Sequence, residues 1–231
     1  MRANPVQIVT RGFTIALLLA CVCACERKAI PPRGETEARA PAVDPVTYLS
    51  QGERVFFDDF ERDELGSSWT TKHPGWRIEA GVLRDDNAKN EGLWLNQPLP
   101  KKVRVSFKIR SNSMPAGKKF PGDLKCEAFA TKQEHEAGYV FINGGWSNQL
   151  DVIARLDEHG ADRLEQPAHK VKADEWSQWD VVRAGNNIYW FKAGKLLMHY
   201  PDANPIEGPF FGFNNWESRS SFDDLAVFEL P

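Results

Sequence analysis

Apolar and polar positions alternate through most of this chain, and the alternation predicts strands. Val103, Val105, Phe107 and Ile109 interleave with Arg104, Ser106, Lys108 and Arg110. A period of two puts the first set on one face of a sheet and the second on the other. Leu124, Cys126 and Ala128 interleave with Lys125, Glu127 and Phe129 in the same way. Taken together, the two segments place Arg104, Lys108, Arg110, Lys125 and Glu127 on one exposed sheet face, opposite Val103, Val105, Phe107, Leu124 and Cys126. Residues 76–84 read as a hairpin around Ala80-Gly81. Runs rich in β-branched or aromatic residues predict further strands at 92–95, 139–142, 150–156, 210–214 and 222–230. Residues 179–183, 188–192 and 196–200 predict a meander, with Asn186-Asn187 and Ala193-Gly194-Lys195 as its turns. About eleven short strands without an amphipathic helix point to an all-β, antiparallel two-sheet sandwich or jelly roll.

The alternation is missing from the first fifty residues. Arg2 and Arg11 flank a stretch without acids, and Phe13 to Ala20 form an apolar run. A bilayer takes roughly 20 such residues, so the run fits an export signal better than a span. Leu18-Leu19-Ala20-Cys21 and Val22-Cys23-Ala24-Cys25 resemble the lipobox of bacterial lipoproteins, in which a cysteine receives diacylglycerol. Cys21 and Cys25 are both lipidation candidates, and palmitate is the expected label. Residues 1–25 are thus expected to be a lipoprotein signal peptide with its lipidation site. Residues 26–50, with Pro31, Pro32, Pro41 and Pro45 among charged and small residues, are expected to be a disordered tether. Residues 51–231 then form one folded domain. The expected location is the cell envelope, with the lipid holding the exported domain at the outer membrane or cell surface.

Composition narrows the partners. Lys and Arg number 29 against 32 Asp and Glu, for a net charge of −3, and no basic block appears. Nucleic acid is disfavoured, because neutralising phosphates supplies most of that affinity. Three of the four cysteines crowd the N-terminal end. Cys126 lies in an alternating strand, which predicts a buried, inert thiol.

Several segments carry a family likeness: Asp58-Asp59-Phe60-Glu61, Trp76 to Leu83, Trp179 to Arg183, Phe191-Lys192-Ala193-Gly194-Lys195, and Ser221 to Glu229. Together they resemble the concanavalin A-like lectin/glucanase superfamily, in particular its laminin-G-like and 3-keto-disaccharide-hydrolase-like branches. The likeness spans nearly the whole domain but encodes mainly sandwich geometry, so it speaks to fold more than to function. It implies a two-sheet jelly roll whose first and last strands lie side by side and whose larger sheet binds saccharide. It also implies calcium as a candidate structural ion. Asp58 and Asp59 would then neighbour Asp223 and Asp224 and supply the oxygen ligands that calcium takes.

The chemistry that a glycosidase of this fold needs does not stand out. Retaining enzymes use two carboxyls roughly 5 Å apart. In the family-16 glucanases the pair resembles Glu-x-Asp-x-x-Glu on one strand, whereas Glu127 has Lys125 at its alternating position and Asp151 has Ile153. Asp157-Glu158-His159-Gly160 reads as a solvated turn. The five histidines have no metal-ligand spacing and form no triad order. Six of the eight tryptophans sit in or beside strand patterns and read as core. Trp146 and Trp216 differ. Trp146 lies between Asn143-Gly144-Gly145 and Ser147-Asn148, and Trp216 follows Asn214-Asn215. An indole beside amides suits a sugar ring, whose C–H face stacks while its hydroxyls hydrogen-bond. The expected ligand-binding set is Trp146, Trp216, Asn143, Asn148, Asn214, Asn215, Lys125, Glu127 and Arg110, with no catalytic residue. The expected function is non-catalytic carbohydrate binding. The alternatives are a glycoside or keto-sugar hydrolase using acids such as Glu127 and Asp151, and a structural or protein-binding surface lipoprotein.

Overall fold

A computed structural model of the protein describes residues 43–113 and 121–231. The expected signal peptide, Cys21, Cys25 and most of the expected tether lie outside the described residues. In chain order the strands are β1 (Glu53–Asp58), β2 (Trp69–Thr71), β3 (Arg77–Glu79), β4 (Val82–Asp85), β5 (Leu93–Leu95), β6 (Val103–Ser111), β7 (Leu124–Ala130) and β8 (Tyr139–Gly144). They continue with β9 (Leu150–Arg155), β10 (Leu164–Pro167), β11 (Ser177–Ala184), β12 (Asn187–Lys192), β13 (Lys195–Pro201), β14 (Phe210–Asn214) and β15 (Ser220–Glu229). They form two antiparallel sheets. One has the order β13-β12-β11-β6-β15-β4-β3, with β1 also on β15; the other is β10-β9-β8-β7-β14-β5-β2. The first and last strands pair, Asp58 opposite Leu225.

The inward residues of both sheets make one core. Val103, Val105, Phe107 and Ile109 of β6 meet Leu124, Cys126, Phe211 and Phe213 from the other sheet. Phe107 has its ring centroid 5.2 Å from Phe213 and 5.8 Å from Trp179, and Trp179 stands 4.6 Å from Trp190. Aromatic pairs at such separations add to the burial of their large apolar surface. Complete burial pushes the Cys126 thiol well above its ordinary pKa, as expected of an inert cysteine.

The alternation is right within strands but does not say which sheet a strand joins. β6 belongs to the first sheet and β7 to the second. Arg104, Lys108 and Arg110 therefore face out on one side of the sandwich, and Lys125 and Glu127 on the other. The expected single charged face does not exist. Arg110 instead stacks on Trp176, which is exposed rather than core. Phe129 also departs from the pattern. It adopts φ of 60°, and the pairing skips from Phe210–Ala130 to Phe211–Ala128. This bulge turns Phe129 into the core beside Ala128 instead of outward.

The expected tether ends too late. Asp44 caps a 3-10 turn over Pro45–Ser50, accepting a hydrogen bond from the Val46 amide. Tyr48 and Leu49 from this turn pack on Val182, Tyr189, Phe191 and Leu230, on the outer face of the first sheet. Residues 45–50 thus belong to the folded domain. β2 and β10, with three and four residues, fall below the length at which alternation can be read.

Candidate functional site

The outer face of the second sheet carries the cavity. Val140, Ile142, Val152 and Ala154 form an apolar strip there, and the half-buried Trp146 packs against it. Beside the strip, Lys125 on β7 is almost sealed, its side chain 2% exposed. Its ammonium donates to Glu158 Oε2 at 2.7 Å and to Asn90 Oδ1 at 2.8 Å. Burial opposes ionisation of Glu158, but the Lys125 charge and hydrogen bond, with His135 and His159 behind them, outweigh it and hold this carboxyl below its ordinary range. Two residues along β7, Glu127 is fully buried. Its Oε1 contacts His135 Nδ1 at 2.8 Å and also accepts from Asn214 Nδ2, while its Oε2 accepts from the Glu136 amide at 2.9 Å. Glu127 and Asn214 therefore anchor the loop that brings His135 and Glu136 over the sheet.

Above this floor lies a cavity of about 450 Å³, walled by Trp146, Trp216, His159, Glu136 and Asp123. A second cavity of about 190 Å³ lies on the same face, bounded by Thr70, Trp94, Gln133 and Glu134. Asn90 and His135 border both cavities. The Trp94 ring lies over Gly212 on the neighbouring strand, where a Cβ would stand 2.7 Å from it.

The two tryptophans are held by strained local structure. Gly144, Trp146, Ser147 and Asn148 all have positive φ, between 50° and 72°. Each non-glycine residue in that region costs on the order of 1–2 kcal/mol, so the turn needs fastening. Asn148 supplies it: Nδ2 donates to the Val171 carbonyl at 2.8 Å, and Oδ1 accepts from the Val171 amide at 2.9 Å. Asp151 accepts from the Asn143 amide group and from the His169 amide, and Asn143 Oδ1 accepts from Lys192 Nζ at 2.7 Å. Trp146 then meets His159 edge-on at 5.7 Å, with Arg163 over its ring at 4.6 Å. Trp216, 44% exposed, sits on a loop that Asn215 ties to Asp85 and Ser218.

Of the expected ligand-binding set, Trp146, Trp216 and Lys125 line the larger cavity. Glu127 and Asn214 lie beneath it. Asn143, Asn148 and Asn215 are buried with their own partners and position the loops. Arg110 lies on the opposite face of the sandwich. Asp151 is buried among Asn143, Gly144 and His169, not beside Glu127. Asn90, His135, Glu136, Glu158 and His159 escaped the sequence reading. Glu158 in particular is not in a solvated turn, and only its pairing with Lys125, 33 residues away, reveals its place.

The four aspartates proposed for calcium do not converge. Asp58 holds Arg62, with Nη2 at 2.8 Å from Oδ2, and accepts from Trp69 Nε1 at 2.8 Å. Asp59 accepts from the Glu61 amide, Asp223 from the Asp224 amide, and Asp224 pairs with Lys108. Among the described residues no group of three or more His, Cys, Asp or Glu is placed to hold a metal ion.

No protein-family model and no curated protein sequence matches this chain. Solved structures do resemble it. The carbohydrate recognition domain of Emp47p superposes with a TM-score of 0.58 at 12% identity, covering 79% of this chain and 98% of that one. The carbohydrate-binding module CBM66 from Bacillus subtilis gives 0.56 at 12% identity, covering 72% and 98%. A laminarinase from Flavobacterium sp. UMI-01 gives 0.56 at 11% identity, covering 77% and 100%. At these identities the likeness is one of fold. The chain has the concanavalin A-like jelly-roll sandwich found in carbohydrate-binding modules and family-16 glucanases alike.

Proposed function

We propose that this protein binds carbohydrate without cleaving it, in the cavity on the outer face of the second sheet. The observation that carries the reading is the meeting of Trp146 and Trp216 over a polar floor of Lys125, Asn90 and His135. The exposed indole of Trp216 suits a sugar C–H surface, the half-buried Trp146 supplies an apolar wall, and fixed polar groups select hydroxyl positions. The neighbours named for carbohydrate recognition support it by analogy of fold. Catalysis is disfavoured because the acids of the floor are committed: Glu127 to His135, Asn214 and the Glu136 amide, and Glu158 to Lys125. A hydrolytic acid or base needs a carboxyl free to reach the glycosidic oxygen or a water. A glycan array followed by incubation of the hits tests the reading. Binding without release of reducing sugar is the expected result. Release would make the protein a hydrolase, and binding to no glycan would leave it a structural or protein-binding module.

We further propose that the chain is exported and lipid-anchored through Cys21 or Cys25. The support is the short apolar run and the lipobox-like sequences. Labelling with radioactive palmitate should mark the protein, and the label should disappear in Cys21→Ser or in Cys25→Ser. Persistence of label in the double variant, or its absence from the parent, overturns the anchor.

A further inference from the structure

The two cavities invite a more specific reading of the ligand, one that rests on the carbohydrate-binding proposal above. They are open, lie on one sheet face and meet at a neck made of Asn90 and His135. The larger is over β7 and β8, near Lys125 and Ile142; the smaller is over β5 and β2, near Trp94 and Thr70. In sheet order these strands run β8-β7-β14-β5-β2, so the joined groove crosses the strands. Asn90 and His135 stand at its middle, where the two cavities adjoin. A ligand filling both cavities is therefore a chain of several units, and the part that His135 and Asn90 contact is internal to that chain.

The walls also carry a charge pattern. Asp123, Glu136 and Glu158 line the larger cavity, and Glu91 and Glu134 the smaller. Against these five carboxylates stand Lys125, Lys72 and the two imidazoles His135 and His159. Lys125 is already paired with Glu158, and His135 with Glu127. His159 also pairs with Glu158, so an incoming carboxylate or sulfate would meet five carboxylates with Lys72 as the one lining cation outside these pairs, and repulsion between like charges is strong where water is partly displaced.

We propose that the groove takes an interior stretch of an uncharged glycan, laid across the strands through both cavities with His135 and Asn90 at its middle, and that its carboxylate walls exclude uronic-acid and sulfated chains. Hydroxyl groups suit such walls, because each carboxylate accepts a hydrogen bond without a charge being buried against it.

Calorimetric titration of the whole folded protein tests this, using neutral gluco-oligosaccharides of one to six units and oligogalacturonates of the same lengths, at low and high salt. Affinity for the neutral series should rise at least tenfold from the monosaccharide to the longer members, then level off. The uronate series should bind at least tenfold more weakly, and the gap should narrow in high salt as the charges are screened. Thr70→Trp, at an exposed position bordering the smaller cavity, should bring the longest neutral ligand down to the affinity of the disaccharide. Glu134→Gln with Glu136→Gln keeps an acceptor at both positions and removes two of the five charges, so it should narrow the gap between uronate and neutral binding at least threefold. A monosaccharide bound as tightly as the hexamer, or uronates bound as tightly as neutral chains, overturns the inference while leaving carbohydrate binding standing. Binding to no member of either series, or to any glycan on the array, overturns both.

Discussion

Lys125 and Glu158 each lie almost out of water, yet both face a cavity. Removing one partner of such a pair leaves an uncompensated charge, at a cost of about 3–5 kcal/mol. Lys125→Met is thus expected to lower stability by about 3 kcal/mol in chemical denaturation, and Lys125→Met with Glu158→Leu to recover most of the loss. The pair also sets an acid limit. The folded protein holds the Glu158 proton less tightly than the unfolded chain does, so the stabilisation is complete above the ordinary value of 4.5 and drains away as pH falls through the lower folded value. Melting curves taken from neutral pH downward should show that decline beginning below about pH 4.5, and Glu158→Gln should flatten it. Trp146 has a different balance. It is half-buried on the strip of Val140 and Ile142, so Trp146→Ala should cost about 1 kcal/mol of stability but about tenfold in glycan affinity. A large drop in melting temperature with unchanged binding would show it to be a packing residue. Trp146 and Trp216 were legible in the sequence because glycines and amides surround them. Glu158 was not, because nothing local distinguishes a solvated acid from one whose partner arrives from another strand.

At the scale of elements, the turn from Gly144 to Asn148 shows how a residue acts on a site without touching it. Asn148 faces away from the cavity and holds the turn to Val171 through both of its amide atoms. Asn148→Ala should cost about 1–2 kcal/mol of stability, the range for losing hydrogen bonds to buried groups, and should weaken glycan binding by releasing Trp146. Binding unchanged in this variant would mean that the turn keeps its form without the clamp. The same element shows what periodicity can and cannot give. Asn143 and Asn148 are amides beside an indole, which is the composition of a binding loop and equally of a fastened turn. Only the direction of their hydrogen bonds separates the two. Phe129 makes a similar point: counting by twos puts it outside, and one left-handed residue puts it inside.

For the molecule as a whole, the pattern of apolar residues was enough to give a two-sheet sandwich, because a strand's inner face is written in its own sequence. Sheet membership was not legible, since β6 and β7 follow one another in the chain and carry the same alternation while lying on opposite sides of the core. That is why Arg110 could be grouped with Lys125 on paper and lie across the sandwich from it in space.

The turn bearing Tyr48 and Leu49 sits on the back of the first sheet, while the cavities open on the front of the second. The first described turn and the cavities thus lie on opposite faces of the sandwich. Attaching a bulky fluorescent protein just ahead of Val43 should therefore leave glycan affinity within about twofold of the unfused domain, roughly 0.4 kcal/mol. The same cargo on the loop that carries Trp216 should abolish binding.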